Sequence, residues 1–256
     1  MNKLERGLCR PIDRFGLGLA LQTPPSRGRR QWLRLPRVSL ASAYAVWRVT
    51  MYIDDRWTAV TGDELSAMIE KINPIGDRYP VIETSTDIRK RRLPFYDNVE
   101  FFRVKDPAWE PRNLFIYYLK LGDEFYWLNG TSPPLHQLNA EAPIKITDDN
   151  VLNYLVFFTF FVRGEEGPFY VAQSPEDTYV PKKISPDVAT VFRNTLRPAI
   201  FDGRDEKGNF LCDATIYYSN AIFEAEFRVQ PGGMVEMIDD ASIAADLPVK
   251  IDAPLS

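Results

Sequence analysis

The sequence VLNYLVFFTFFV at residues 151–162 is almost entirely apolar, with Asn153 and Thr159 as its polar positions. The run predicts a helix that is apolar around its whole circumference. A membrane span needs about 18 apolar residues, which is more than this run contains. Such a helix must be covered on every side, so we expect it at the centre of the protein and expect no membrane span.

Short strands rich in aromatic and β-branched residues flank this helix on both sides of the chain. Ile116-Tyr117-Tyr118 and Ile216-Tyr217-Tyr218 each lead, through a second strand, to a glycine turn at Asn129-Gly130 or Gly232-Gly233. Such turns are typical of β-hairpins. Hairpin signals outnumber helices, and no regular alternation of strand and helix is visible. The sequence therefore predicts an α+β fold of antiparallel sheets with a few helices.

The two Ile-Tyr-Tyr motifs belong to a possible tandem duplication. Pro143-Ile144-Lys145-Ile146 recurs as Pro248-Val249-Lys250-Ile251, and each copy is expected to form a short strand. We therefore expect a first α+β half at residues 52–146 and a second at 147–251, packed together as one compact body. The alternative is a chance recurrence of hairpin sequences.

Two more helices are indicated by residues that favour helix N-termini. Thr61-Gly62-Asp63-Glu64 matches a capping box and begins an amphipathic pattern that runs to Ile72. A further helix is predicted at about Ser185 to Leu196, and it has no counterpart in the first half. Each predicted half thus contains at least one helix beside its strands.

Charge is distributed unevenly along the chain. Residues 1–50 hold ten Lys or Arg against Glu5 and Asp13, which leaves 21 basic and 33 acidic residues in the rest. The first segment also contains Pro and Gly near Arg29 and offers little to bury, so we interpret it as a basic, disordered arm. It is alternatively a targeting segment, or lies upstream of a true start at Met51. Nucleic-acid association is expected only through this arm.

Residue types that carry catalytic chemistry are scarce. The chain has one His and two Cys, too few for a structural zinc site, and it lacks the glycine-rich phosphate-binding motifs of nucleotide enzymes. Cys212 lies among apolar neighbours and is expected to be a buried, inert thiol. We predict no metal and no cofactor, favour a non-enzymatic role without excluding an enzyme, and expect a cytoplasmic location.

The segment Arg163-Gly164-Glu165-Glu166-Gly167-Pro168 is the first candidate site. Glycines let a backbone approach a ligand, and Glu165 and Glu166 are carboxylates that could bind a cation beside Arg163. The alternative is purely structural, with Arg163 and Gly164 ending the preceding helix. The choice between these readings stays open at the level of sequence.

His136 is the second candidate, as the only imidazole available for general-base chemistry. It follows Thr131 and Ser132, whose hydroxyls are possible nucleophiles, in a segment rich in proline that we expect to be a loop. The alternative is a loop histidine bonded to backbone or water.

Aromatic side chains on the predicted strands supply the leading functional hypothesis. Adjacent strand residues point to opposite faces, so rings such as those of Phe101 and Phe102 cannot all face one core. Uncovered rings would form an interface, and we predict a partner-binding or self-associating protein that uses these aromatic sheet surfaces. The alternatives are a carboxylate-based enzyme or small-ligand or metal binder with a cleft between the halves, and nucleic-acid association through residues 1–50.

Overall fold

The computed structural model describes residues 57–75 and 79–254. Within these ranges there are four helices: α1 Asp63–Ile72, α2 Pro133–Glu141, α3 Val151–Phe161 and α4 Pro186–Thr195. The strands in the same ranges are β1 Thr58–Ala59, β2 Asp87–Arg92, β3 Val99–Lys105, β4 Ile116–Leu121, β5 Glu124–Trp127, β6 Arg163–Gly164, β7 Gly167–Pro168, β8 Tyr170–Val171, β9 Ile200–Arg204, β10 Phe210–Tyr218, β11 Ala221–Val229 and β12 Val235–Ala244. All the pairings between these strands are antiparallel, which confirms the predicted α+β fold.

Sheet 1 contains β1 to β5 in chain order. Its strands alternate strictly, so that Phe101 of β3 and Tyr117 of β4 face the main core while Phe102 and Tyr118 face the opposite side. All four of these aromatic side chains are buried. Sheet 1 is therefore covered on both faces.

Sheet 2 is built around the long hairpin of β10 and β11, with the order β12-β11-β10-β8 and with β9 also paired to β10. Phe210, Cys212, Ala214 and Ile216 alternate along β10 and are all buried. The prediction that Cys212 is a buried thiol is thus confirmed. β6 and β7 form a separate short hairpin directly after α3.

α3 lies between the two sheets, as its sequence predicts. Phe157 contacts Phe101 of sheet 1 at 5.5 Å between ring centroids, and the helix lies against β8 and β9 of sheet 2 on its other side. The polar Thr159 donates its hydroxyl to the carbonyl of Leu155 at 2.9 Å, which satisfies it inside the core. One hydrophobic core consequently joins the two sheets through this helix.

α1 covers the outer face of sheet 1. Met68 and Ile72 of this helix pack with Phe102 and Tyr118, whose exposed fractions are 1% each. The rings that the leading hypothesis needed at a partner interface are therefore enclosed within the protein. In the part of the chain that the structure describes, the four aromatic rings of β3 and β4 therefore form no exposed surface for a partner.

Several local expectations are wrong. His136 lies in α2 and not in a loop, because Pro133 and Pro134 occupy the first turn of the helix, where a missing N–H costs nothing. The segments at residues 143–146 and 248–251 are irregular and not strands. α1 has Gly62 as its N-cap with no side-chain capping bond, so Thr61 does not form the predicted capping box.

The ends of the other helices agree better with expectation. The predicted helix at 185–196 is α4, in which the Ser185 hydroxyl accepts a hydrogen bond from the amide of Val188 at 3.4 Å. α3 ends at Phe161 with Val162 in an extended conformation, and Gly164 lies in β6. The expectation that Gly164 caps the helix is therefore wrong.

The duplication stays a prediction. Both Ile-Tyr-Tyr motifs lie in interior strands, β4 and β10, but the proline segments that complete the proposed repeat are not strands. The predicted basic arm at residues 1–50, with Cys9 and the alternative start at Met51, lies outside the described residues. Among the helices that the structure describes, none is long and apolar enough to cross a membrane.

Candidate functional site

Arg163 is the first residue of β6, two residues after the end of α3, and its side chain bonds to both α3 and the C-terminal segment. Its Nε donates to the carbonyl of Phe160 at 3.3 Å, and its Nη1 donates to the carbonyl of Ala253 at 2.6 Å. Its backbone amide is held by the carbonyl of Gly130 at 2.9 Å. Two of these bonds hold the guanidinium against the carbonyls of Phe160 and Ala253, and the third holds the backbone of Arg163.

The third nitrogen of this guanidinium is unpaired. Nη2 of Arg163 is buried and has no hydrogen-bond partner among the described residues. No described carboxylate forms a salt bridge with Arg163, and its burial lowers the pKa of Arg163 to about 10. A buried cationic donor without an acceptor is costly to the folded state, and an acceptor at this point would relieve that cost.

Two tyrosine hydroxyls lie beside Arg163. Burial raises the pKa of Tyr117, on β4, and that of Tyr179, in the loop after β8. Arg163 and Arg103 both counteract this rise at both tyrosines, so the two guanidinium groups lie close to the same pair of hydroxyls. At neutral pH the two phenols are therefore protonated. They share a side-chain hydrogen bond, which raises the pKa of Tyr117 and lowers that of Tyr179, so one of the two O–H groups is used within the pair.

Arg103 reaches this place from β3. Its guanidinium lies 4.8 Å from the ring centroid of Trp57 and 4.9 Å from that of Phe115. Lys105, two residues along the same face of β3, places its ammonium 5.3 Å from the Phe115 ring. Neither Arg103 nor Lys105 forms a salt bridge with a carboxylate of the described residues, and both side chains are half-buried.

We call Arg103, Arg163, Tyr117 and Tyr179 the guanidinium–phenol cluster. Its members come from the two predicted halves of the chain, because sheet 1 supplies Arg103 and Tyr117 and the region after α3 supplies the other two. The cluster offers positive charge and N–H and O–H donors, with no nucleophile or base that is ionised near neutral pH. Its chemistry is suited to binding an anion.

The two glutamates of the first candidate site do not join Arg163. Glu166 pairs with Lys250 at 3.0 Å and accepts from the Ser219 hydroxyl at 3.2 Å, and the bond to Lys250 lowers the pKa of Glu166. Glu165 is exposed in the turn between β6 and β7. The structure thus brings Arg163 to a buried cluster and leaves both carboxylates at the surface.

His136 also lies apart from the candidate nucleophiles. Its half-buried ring is 6.2 Å from the ring of Phe158 on α3, measured between centroids. The Thr131 hydroxyl donates to Asn129 at 2.7 Å and not to the imidazole. The backbone amide of His136 donates to the carbonyl of Ser132 at 3.1 Å, as expected in the first turn of α2. In the described ranges, no side-chain hydrogen bond or ion pair connects the imidazole to Ser132, Glu165 or Glu166.

Reasoning from sequence missed Arg103, Tyr117 and Tyr179. The available signal was the position of Arg103 two residues after Phe101 on a strand, which predicts that this cation faces the same side as a core residue. Among the residues that the structure describes, no group of three His, Cys, Asp or Glu is placed to hold a metal ion. Burial raises the pKa of Cys212 to about 12, so that thiol is protonated near neutral pH.

Comparisons of this chain with protein-family models, with curated proteins and with solved structures found no significant match. Its function therefore has to be argued from the cluster itself.

Proposed function

We propose that this protein binds a small anionic molecule at the guanidinium–phenol cluster. The observation that carries the proposal is the buried Nη2 of Arg163, which has no acceptor among the described residues. Residues 51–256 hold 21 basic and 33 acidic residues, yet three cations without carboxylate partners, Arg103, Lys105 and Arg163, are concentrated in one region. A ligand carboxylate or phosphate would supply the missing acceptor.

The expected affinity follows from the donors available. A hydrogen bond to a charged group contributes about 1.5–3 kcal/mol. Two such bonds, from Arg163 and one phenol, would contribute about 3–6 kcal/mol, which corresponds to dissociation constants in the millimolar range or tighter. Apolar contact with Phe115 would add to this for a ligand that carries an apolar body.

The test is calorimetric titration of the full-length protein with phosphate and with benzoate at constant ionic strength. Arg163→Gln should weaken binding at least tenfold. Arg228→Gln removes the same charge from sheet 2, where Arg228 pairs with Glu236 at 2.8 Å, and is the matched control. If Arg163→Gln fails to fold, Arg103→Gln takes its place, because Arg103 is half-buried. Binding by both Arg variants that equals the wild type would refute the proposal.

A second candidate function, association with a protein partner, is favoured by strand β12. This ten-residue strand pairs only with β11, and its other edge is unpaired in the described part of the chain. The register shifts at Ile238 and Ile243, which are 36% and 39% exposed, and Asp239 and Asp240 lie between them. Bulges and acidic residues protect an edge strand from pairing with a second copy of itself, so a basic extended segment is the partner that fits.

A synthetic peptide of alternating lysine and valine tests this second candidate. The full-length protein should bind it, and the double change Asp239→Lys with Asp240→Lys should abolish binding through charge repulsion. Asp187→Lys on α4 is the control for a charge reversal elsewhere on the surface. Equal peptide binding by all three proteins would refute a role for β12.

We also infer a cytoplasmic location. The support is the low cysteine content together with Cys212, a buried free thiol that is 1% exposed. Reducing compartments keep cysteines in this state. Microscopy of the chain tagged at its C-terminus, with organelle markers, tests this inference, and co-localisation with any organelle would contradict it.

A further inference from the structure

The nitrogen atom on which the proposed function depends is enclosed by the protein. Nη2 of Arg163 is buried, so a ligand reaches it only if a covering part of the chain moves. We call residues 247–254, which follow β12 and have no regular secondary structure, the C-terminal strap. The carbonyl of Ala253 in this strap accepts from Nη1 of Arg163 at 2.6 Å, so the strap lies directly against the guanidinium.

Other neighbours of Arg163 are held more firmly than the strap. The Phe160 ring, whose centroid is 5.2 Å from the guanidinium, belongs to the central helix α3. The loop that carries Tyr179 is closed on itself, because the Asp177 carboxylate accepts from the backbone amide of Gln173 at 2.6 Å. The strap is therefore the neighbour that can move with the least loss of structure.

The strap is held in place by bonds to β10 and to the turn after it. Three bonds of 3.0 Å join strap residues to this hairpin: Leu247 to Asn220, Val249 to Tyr217 and Ile251 to Ser219. An ion pair between Lys250 and Glu166 at 3.0 Å adds to them, and both of its side chains are more than half exposed. Leu247 and Ala253 are buried, so the closed strap is the resting state.

A hinge is available at the start of the strap. Asp246 is exposed and has φ of +54°, a left-handed conformation that a non-glycine residue keeps only where its surroundings impose it. It lies two residues after Ala244, the last residue of β12. A change of φ and ψ at Asp246 would move the strap and leave the strand intact.

We infer that the C-terminal strap is a lid that competes with the ligand of Arg163, an inference that rests on the proposed anion-binding function. When the strap opens, Nη1 loses the carbonyl of Ala253, and Nη1 and Nη2 together offer side-by-side donors to one anion. The closed strap and the bound anion exclude each other. The apparent affinity is therefore the intrinsic affinity reduced by the fraction of molecules in which the strap is open.

Breaking the ion pair of the strap without changing the net charge tests this inference. The double variant Glu166→Gln with Lys250→Gln should bind phosphate about 1.4- to fivefold more tightly than the wild type, which is the range that an exposed ion pair supplies. Calorimetric titration of the full-length proteins at constant ionic strength measures this. The control is Asp148→Asn with Arg204→Gln, which breaks a similarly exposed ion pair of 2.8 Å and should leave the affinity unchanged.

Hydrogen exchange reports on the strap itself. Saturating phosphate should speed exchange of the amides of Leu247 and Ile251, because they lose their carbonyl acceptors when the strap opens. Amides in the ladder between β10 and β11 should exchange at the same rate with and without phosphate, since that hairpin stays closed.

The failures are distinguishable. If phosphate binds but leaves exchange at Leu247 and Ile251 unchanged or slower, the strap stays closed over the anion, and the lid is refuted while the anion site stands. Equal affinity of the wild type and the double variant of Glu166 and Lys250 would overturn the lid in the same way. If neither protein binds phosphate or benzoate, both the lid and the proposed function are wrong.

Discussion

Tyr154 on α3 donates its hydroxyl to the carbonyl oxygen of Gly233, in the turn between β11 and β12, at 2.6 Å. The same hydroxyl accepts from the side-chain amide of Asn139 on α2 at 3.3 Å, and Asn139 in turn bonds to the hydroxyl of Tyr96. A partly buried chain of polar groups thus connects the central helix to both sheet regions.

Gly233→Ala should destabilise the protein strongly. Gly233 has φ of +88°, and a Cβ there would lie 2.5 Å from Nδ2 of Asn139 and 2.7 Å from the Tyr154 hydroxyl. The left-handed conformation costs a non-glycine residue about 1–2 kcal/mol, and a weakened buried hydrogen bond adds about 1 kcal/mol, so we expect a loss of about 2–3 kcal/mol in the free energy of unfolding. Urea denaturation followed by circular dichroism measures this.

The neighbouring glycine provides the control for that experiment. A Cβ on Gly232 would meet no atom within 4 Å, and its φ is outside the left-handed region. Gly232→Ala should therefore change stability by less than about 0.5 kcal/mol. Equal losses from the two alanine variants would contradict the role assigned to the Tyr154 contact.

Gly164 is required for a different reason, the close approach of a side chain. A Cβ at Gly164 would lie 2.5 Å from the hydroxyl of Tyr218. This hydroxyl accepts a hydrogen bond from the backbone amide of Glu166 at 3.0 Å, and the Tyr218 ring stacks on that of Phe169 at 4.5 Å between centroids. Gly164→Ala should cost about 1–3 kcal/mol through overpacking. The double variant with Tyr218→Phe should lose less than the sum of the two single losses, and strict additivity in thermal melts would rule out this contact as the cause.

Asp213→Asn should stabilise the protein. Burial and the nearby carboxylates of Glu226, Asp202 and Glu224 raise the pKa of Asp213, and Glu226 lies directly opposite it on β11. The folded state holds this proton more tightly than the unfolded state, so the contribution of Asp213 to stability falls as pH rises through its ordinary range towards the raised folded pKa. Like charges in cross-strand positions cost about 0.2–1 kcal/mol, and we expect a gain of that size for the variant at pH 7 and low salt, smaller at high salt.

Asp205→Asn should destabilise the protein, in contrast to Asp213→Asn. The pKa of Asp205 is lowered, mainly by the Asn209 side chain, and its carboxylate accepts from the amides of Lys207 and Asn209. Because the carboxyl pKa is lowered in the folded state, Asp205 stabilises that state at pH values above the ordinary pKa of aspartate. This stabilisation is lost as pH falls through the lowered pKa. Denaturation of both variants from pH 3 to pH 8 should show two opposite trends, and parallel curves would contradict this assignment.

Asp252→Asn should strengthen anion binding. This change removes the carboxylate that acts on Tyr179 and raises the net charge around the guanidinium–phenol cluster. Asp252 is exposed, and an exposed charge interaction contributes about 0.2–1 kcal/mol, so the affinity for phosphate at pH 8 should rise about 1.4- to fivefold. Asp187→Asn, on the exposed side of α4, is the control, and the same increase with that variant would show that net charge alone is responsible.

The parts of the fold that were predictable are those in which one segment determines its own structure. The apolar run at residues 151–162 is sufficient to predict α3. Ser185 as N-cap and Pro186 in the first turn are sufficient to predict the start of α4. The outer aromatic rings were misjudged because the amphipathic pattern of α1 shows which face of the helix is buried but not which sheet it covers. The proline-led segments were misjudged because proline lacks the N–H that a strand needs.

The guanidinium–phenol cluster could not be predicted from the sequence for a related reason. Arg163 could be identified locally as a cation after a buried helix, but Arg103 and Tyr117 lie 60 and 46 residues before it in the chain. Only the position of α3 between the sheets brings them to one place. Glu165 and Glu166, its immediate neighbours, are directed to the surface because β6 and β7 form a tight hairpin.

The central position of α3 also has a consequence for synthesis on the ribosome. Residues 151–161 emerge well before β10 and β11, which close the core on that side and end at Val229. At 5–20 residues per second, the intervening stretch of about 70 residues takes roughly 3–14 seconds to appear. During that interval β8 and β9 emerge without the β10–β11 hairpin that completes sheet 2, so the phenylalanine-rich surface of the helix is incompletely covered on that side. The nascent chain is therefore expected to be a client for chaperones that shield apolar segments.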